Sequence, residues 1–113
     1  MLLMLCSYAS EDMLYKGSIR IPAESALIAF ESAARNGSFS RAAKELQISR
    51  SAVRSRVAGL EKQLSTRLFE RSRSGLSLTE AGCRFRDAVV AGLCVIEDGV
   101  AEAASRSDRD RAV

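Results

Sequence analysis

Between Ser49 and Arg56 the chain reads Ser-Arg-Ser-Ala-Val-Arg-Ser-Arg, which sets the guanidinium groups of Arg50, Arg54 and Arg56 among the hydroxyls of Ser49, Ser51 and Ser55. A guanidinium is permanently charged and donates in a planar fork that matches phosphate and the edge of guanine, while a serine hydroxyl donates or accepts. That set recognises a polyanion; it does not make or break bonds. The sequence contains no histidine, which removes imidazole-assisted nucleophiles, the commonest metal ligand and the proton switch near neutral pH. Glu31, Glu61 and Glu97 stand singly, and no pair of carboxylates at helical spacing faces an apolar pocket, so acid–base chemistry has no candidate. No catalytic residue, metal ligand or cofactor site is assigned, and the chain is not expected to be an enzyme.

The cations are concentrated. From Arg41 to Arg86 there are eleven basic residues against four acidic ones, a net charge of +7, whereas the remainder nets −4 and the whole chain +3. Such a segment is the electrostatic footprint of a nucleic-acid site. A solvated helix face carries similar charge, so the spacing of the side chains has to decide.

Hydrophobic periodicity predicts the elements that position these residues. Residues 1–21 show no sustained period and read as an N-terminal extension. Pro22 opens a helix on which Leu27, Phe30 and Ala34 share a face, and Asn36-Gly37 ends it. Ser38 and Ser40 offer N-cap oxygens to a short second helix whose inner face is Ala42, Ala43 and Leu46. After Gln47-Ile48, Ser49 caps a third helix with Val53, Val57, Leu60 and Leu64 at spacings of four, three and four. Leu68 to Arg71 and Leu76 to Leu78 flank Ser72-Arg73-Ser74-Gly75 as a β-hairpin. Thr79 caps a final helix expected over residues 80–104, followed by a polar tail, 105–113, that should fray.

This order is mainly α: three helices and a hairpin wing form a winged helix-turn-helix over residues 22–79, the helix-turn-helix at about 39–58, followed by a long dimerisation helix. At 100° per residue, the apolar stripe of the third helix lies about 150° from Ser51 and about 170° from Ser55, with Arg54 about 90° away on one flank and Arg56 about 70° away on the other. Ser51, Arg54 and Ser55 are then what a DNA major groove meets, Arg54 suiting guanine and Ala52 a thymine methyl if the helix tilts. Arg56 suits a phosphate, as do Arg71 and Arg73 on the hairpin. Ser38, Ser40, Arg41 and Arg50, at the starts of the second and third helices, complete the expected DNA-binding set. One serine alone is as readily a cap, and one exposed arginine is more often merely solvated. The ensemble carries the reading.

Several motifs in one order, Ser38-Phe39-Ser40-Arg41-Ala42-Ala43, Ile48-Ser49-Arg50-Ser51-Ala52-Val53, Leu60-Glu61, Leu68-Phe69-Glu70-Arg71 and Leu78-Thr79-Glu80-Ala81-Gly82, resemble the N-terminal domain of LysR-type transcriptional regulators. The resemblance runs from about Pro22 to Gly82 and more loosely through the last helix. It implies a winged helix-turn-helix that binds partly palindromic promoter sites and a linker helix that pairs two chains. It also implies a second domain, similar to periplasmic binding proteins, that senses a small molecule; the sequence through Val113 does not include it. A naturally short regulator, a truncated gene product and an excised segment stay open. Arg50 and Arg54 stand where Gln and Ser are common in the family, so the family's target sequences do not transfer. Ser65 replaces a glycine after Leu64, a cost of about 1 kcal/mol if that residue needs positive φ. Molybdate-responsive regulators share the winged fold and are a nearer competitor for fold than for function.

In the last helix, Phe85, Val89, Leu93, Ile96, Val100 and Ala103 recur at spacings of three and four, an apolar seam expected to hold a homodimer, with Gly92 and Gly99 close beside it. A chain ending at Thr79 is expected to keep its fold and lose DNA affinity. A different class of function is a small helical module that heterodimerises with full-length relatives and inhibits them through that helix. Cys6, Cys83 and Cys94 form no C-x-x-C pair, which suits a reducing compartment. The short apolar start has no basic residue before it, and no apolar run nears the ~18 residues of a membrane span. The expected location is the bacterial cytoplasm, away from the membrane. A three-helix core with a hairpin is expected to leave no cavity of ~300 Å³, and hence no small-molecule effector site.

Overall fold

Two serine hydroxyls set where the middle helices begin. In the computed structural model, which describes residues 20–112 and their side chains through residue 106, Ser38 Oγ accepts the N–H of Arg41 and Ser49 Oγ that of Ala52, both at 3.1 Å. These bonds satisfy donors that have no partner in a first helical turn. They open α2 (Phe39–Leu46) and α3 (Arg50–Leu64). Ahead of them, α1 (Glu24–Asn36) starts two residues beyond Pro22, because Ala23 takes the extended N-cap position (ψ 142°) and leaves proline outside the helix. Gly37 ends α1 at φ 62°. Ser38 alone caps α2, and Ser40 lies inside its first turn.

Two further ends use the left-handed conformation without glycine: Gln47 after α2 (φ 56°) and Ser65 after α3 (φ 51°). The strands β1 (Phe69–Ser72) and β2 (Gly75–Leu78) pair antiparallel, Phe69 opposite Leu78 and Arg71 opposite Leu76. Glu61 Oε2 accepts the N–H groups of Leu68 (2.7 Å) and Phe69 (3.3 Å), fixing how the chain enters the hairpin. Thr79 Oγ1 accepts the Gly82 N–H (2.9 Å) and donates to the Arg67 carbonyl (2.7 Å), closing the hairpin and starting α4 (Glu80–Ala112) together.

The core gathers Ala29, Phe30 and Ala33 from α1, Ala42 and Ala43 from α2, Val53, Val57 and Leu60 from α3, then Leu68, Phe69 and Val89. Of the predicted α1 face, Phe30 is buried, and Leu27 and Ala34 are half-buried and pack against the core, while Ala29 and Ala33 are buried beside Phe30. The Phe30 ring sits between Phe69 and Phe85, with centroids 5.4 and 5.3 Å away. A Cβ on Gly82 would lie 2.1 Å from the Leu68 carbonyl oxygen, so only glycine lets α4 pass the hairpin base.

α1 and α2 are also joined by a polar clamp. Arg35 donates to both carboxylate oxygens of Glu45, each at 2.7 Å, and Ser32 donates to the same carboxylate. The Arg35 hydrogen bonds, then that of Ser32, hold the Glu45 carboxyl at about 2, below its ordinary 4.5. Glu45, then Glu31, raise Arg35 further above its usual value.

α4 departs from expectation twice. It continues past Ala104 to Ala112, where no proline or glycine interrupts it and Glu102 pairs with Arg106 one turn on. Its predicted seam is divided. Phe85 and Val89 pack into the chain's own core and Leu93 lies against it, whereas Ile96 (63% exposed) and Val100 (64%) face solvent with Val95 (52%), and Ala103 is exposed. Cutting the chain at Thr79 would therefore strip Phe85 and Val89 from the core, against the expectation that such a fragment keeps its fold. Residues 1–19 of the extension, with Cys6, and the side chains of residues 107–113 lie outside the described residues.

Candidate nucleic-acid interface

Burial of Val53, Val57 and Leu60 turns the opposite side of α3 outward. Ser51, Arg54, Ser55 and Ala58 are exposed there, as the helical wheel requires, whereas Arg50 lies nearer the apolar stripe and is exposed as the first residue of the helix. Ser51 Oγ lies 3.2 Å from Ser49 Oγ, so its hydroxyl shares in the cap. Ala52 and Arg56 are half-buried on the flanks.

Two grooves border this face. The larger, an open space of about 600 Å³, runs between the starts of α2 and α3 and the hairpin, and Ser38, Ser40, Arg41, Arg50, Arg71 and Ser74 are on its walls. No cavity of ~300 Å³ was expected, and the larger groove exceeds that volume; it is open to solvent and lined mainly by serine and arginine rather than by apolar side chains. The smaller, about 170 Å³, lies between α3 and the hairpin and is walled by Arg54, Arg67 and Arg71 with Glu61. The Glu61 carboxylate is already engaged by Leu68 and Phe69. Among the described residues, ion pairs engage Arg35, Arg84, Arg86 and Arg106, and none engages the arginines of the two grooves. An array of unneutralised guanidiniums around an exposed helix is suited to phosphate groups spaced along a strand.

Of the sequence-predicted residues, the structure brings Ser38, Ser40, Arg41, Arg50, Arg54 and Arg71 to the grooves. It leaves Arg73 in the exposed hairpin turn, and Arg56 lines neither groove. Sequence reasoning missed Arg67, which stands in an aperiodic connector, and Phe39, whose ring carries the Arg71 guanidinium 5.7 Å from its centroid. Membership of the basic segment was the one available signal for Arg67; Phe39 gave none, because its contact with Arg71 is made through the fold.

The sequence pattern of the bacterial regulatory helix-turn-helix proteins of the lysR family matches residues 25–83, over half of the chain. The chain belongs to that family. The transcriptional regulator TrpI of Pseudomonas aeruginosa is 46% identical over 68 residues, which are 60% of this chain and 23% of TrpI. A mutant of OxyR from Corynebacterium glutamicum superposes with a TM-score of 0.71 at 27% identity, over 76% of this chain and 28% of the other. Full-length CbnR, solved in complex with its target DNA, gives 0.65 at 29% identity over 70% and 27% of the two chains. The chain thus spans about a quarter of the length of these lysR-family relatives, and its three helices, hairpin and following helix are the family's winged helix-turn-helix. No helix among the described residues is long and apolar enough to cross a membrane.

Proposed function

We propose that the chain is a sequence-specific DNA-binding transcriptional regulator, or the DNA-binding part of one, acting in the bacterial cytoplasm and without catalytic activity of its own. The observation that carries the reading is the exposed Ser51, Arg54 and Ser55 face of α3, flanked by cationic grooves, with Arg50 on the wall of the larger, and set in a lysR-family fold. α3 lies in the major groove, where Arg54 reads a base edge and Ser51 and Ser55 adapt to neighbouring edges. Ser38, Ser40, Arg41, Arg50, Arg67 and Arg71 hold the phosphates on either side, with Arg73 on the wing tip and Arg56 at the flank. That CbnR, 29% identical to this chain, was solved in complex with its target DNA supports a DNA-binding role for the fold.

Two copies pair through the outward part of α4, around Ile96, Val100 and Ala103, so that two reading helices engage one duplex. Gly92 and Gly99 have open space where a Cβ would stand, leaving room for a second backbone. Selection of bound sequences from a random duplex pool tests the proposal. Recovery of two recurring half-sites at a fixed spacing near one or two helical turns is expected, and a pool that stays random refutes sequence-specific reading.

A further inference from the structure

Phe39, Arg71 and Leu76 are the three residues on the walls of both grooves. Strand geometry explains Arg71: side chains two apart share a face, so Arg71 follows buried Phe69 on the side of β1 that looks toward the helices. The Phe39 ring spans the pair. It meets the Phe69 ring edge-on at a centroid distance of 5.8 Å and carries the Arg71 guanidinium 5.7 Å from its centroid. Phe39 is also the first residue of α2, directly after the cap residue Ser38. A single aromatic side chain therefore links the start of the helix-turn-helix to the strand that carries the wing. Among the described residues no carboxylate pairs with Arg71, so the ring face orients the guanidinium without neutralising it.

We propose that Phe39 is a positioning residue for DNA binding: its ring holds the Arg71 guanidinium at the ridge between the two grooves and so sets the wing against the reading helix. The inference rests on the DNA-binding reading above. A guanidinium over an aromatic face at a partly exposed site is worth a modest attraction, but it fixes a side chain that otherwise loses rotamer freedom on docking. Phe39 would thus act on affinity for all sequences alike, without touching a base.

A double-mutant cycle on duplex affinity tests this, with Phe39→Leu, Phe39→Tyr, Arg71→Ala and the Leu/Ala pair, each first shown to unfold cooperatively. Phe39→Leu is expected to weaken binding about two- to fivefold on specific and random duplex alike, Phe39→Tyr to restore it, and Phe39→Leu to cost nothing more once Arg71 is alanine. In free protein, the Arg71 side-chain proton resonances should lie upfield under the ring current and return toward ordinary values in Phe39→Leu. Equal losses from Phe39→Leu with and without Arg71 make Phe39 a core residue only and overturn the proposal, as does an Arg71 spectrum that ignores the substitution. If wild-type protein binds no duplex, the DNA-binding reading fails first; if it binds and the cycle is additive, only the positioning role fails.

Discussion

Arg54 is the side chain on which base reading rests in this account. It is exposed on α3 and lines the groove toward the wing. Arg54→Ala should lower affinity and relax discrimination at one base position of each half-site by about 1–3 kcal/mol, measured by competition between a selected duplex and its single-base variants. Equal losses on selected and random DNA would make Arg54 a phosphate contact. Glu45 offers a different test. Its carboxyl is held at about 2 against an ordinary 4.5, so the stability it adds is complete above about pH 4.5 and is lost as the pH falls toward 2. Urea unfolding midpoints should therefore drop more steeply for wild type than for Glu45→Gln across that window and converge at its acid end; parallel curves would show the Arg35–Glu45 pair to be idle. The wheel placed Ser51, Arg54 and Ser55 outward from apolar spacing alone. The clamp of Ser32, Arg35 and Glu45 could not be read that way, because its members come from two helices whose crossing the sequence does not state.

At the scale of elements, caps were the most legible feature. Ser38, Ser49 and Thr79 all accept the N–H groups expected of them, since an N-cap is decided within four residues. Ser65 was singled out as a strained replacement for glycine, and it does adopt φ 51°. Ser65→Gly should raise stability by about 1 kcal/mol, visible as a higher unfolding midpoint with an unchanged denaturant slope; no gain would mean that the Ser65 side chain compensates locally. Gln47, with φ 56°, escaped notice because nothing short-range marks a glutamine for that conformation. The α4 seam was legible as a stripe but not as two halves. Periodicity reports that a face is apolar, whereas what covers it depends on where Phe30 and the hairpin base end.

For the whole molecule, the proposed pairing through α4 rests on the apolar surface that its own domain leaves uncovered. Because Ile96 is 63% exposed, Ile96→Glu should leave the fold intact and turn a dimer into a monomer at micromolar concentration in sedimentation velocity. A wild-type monomer, or a variant that still dimerises, would contradict pairing at that site. Engagement of duplex phosphates by the arginines around α3 would release condensed counterions, so affinity should depend steeply on salt. If each protomer of a dimer neutralises about three phosphates, a plot of log K against log salt concentration should fall with a slope near −5. A slope near zero, or no binding at low salt, would contradict the account.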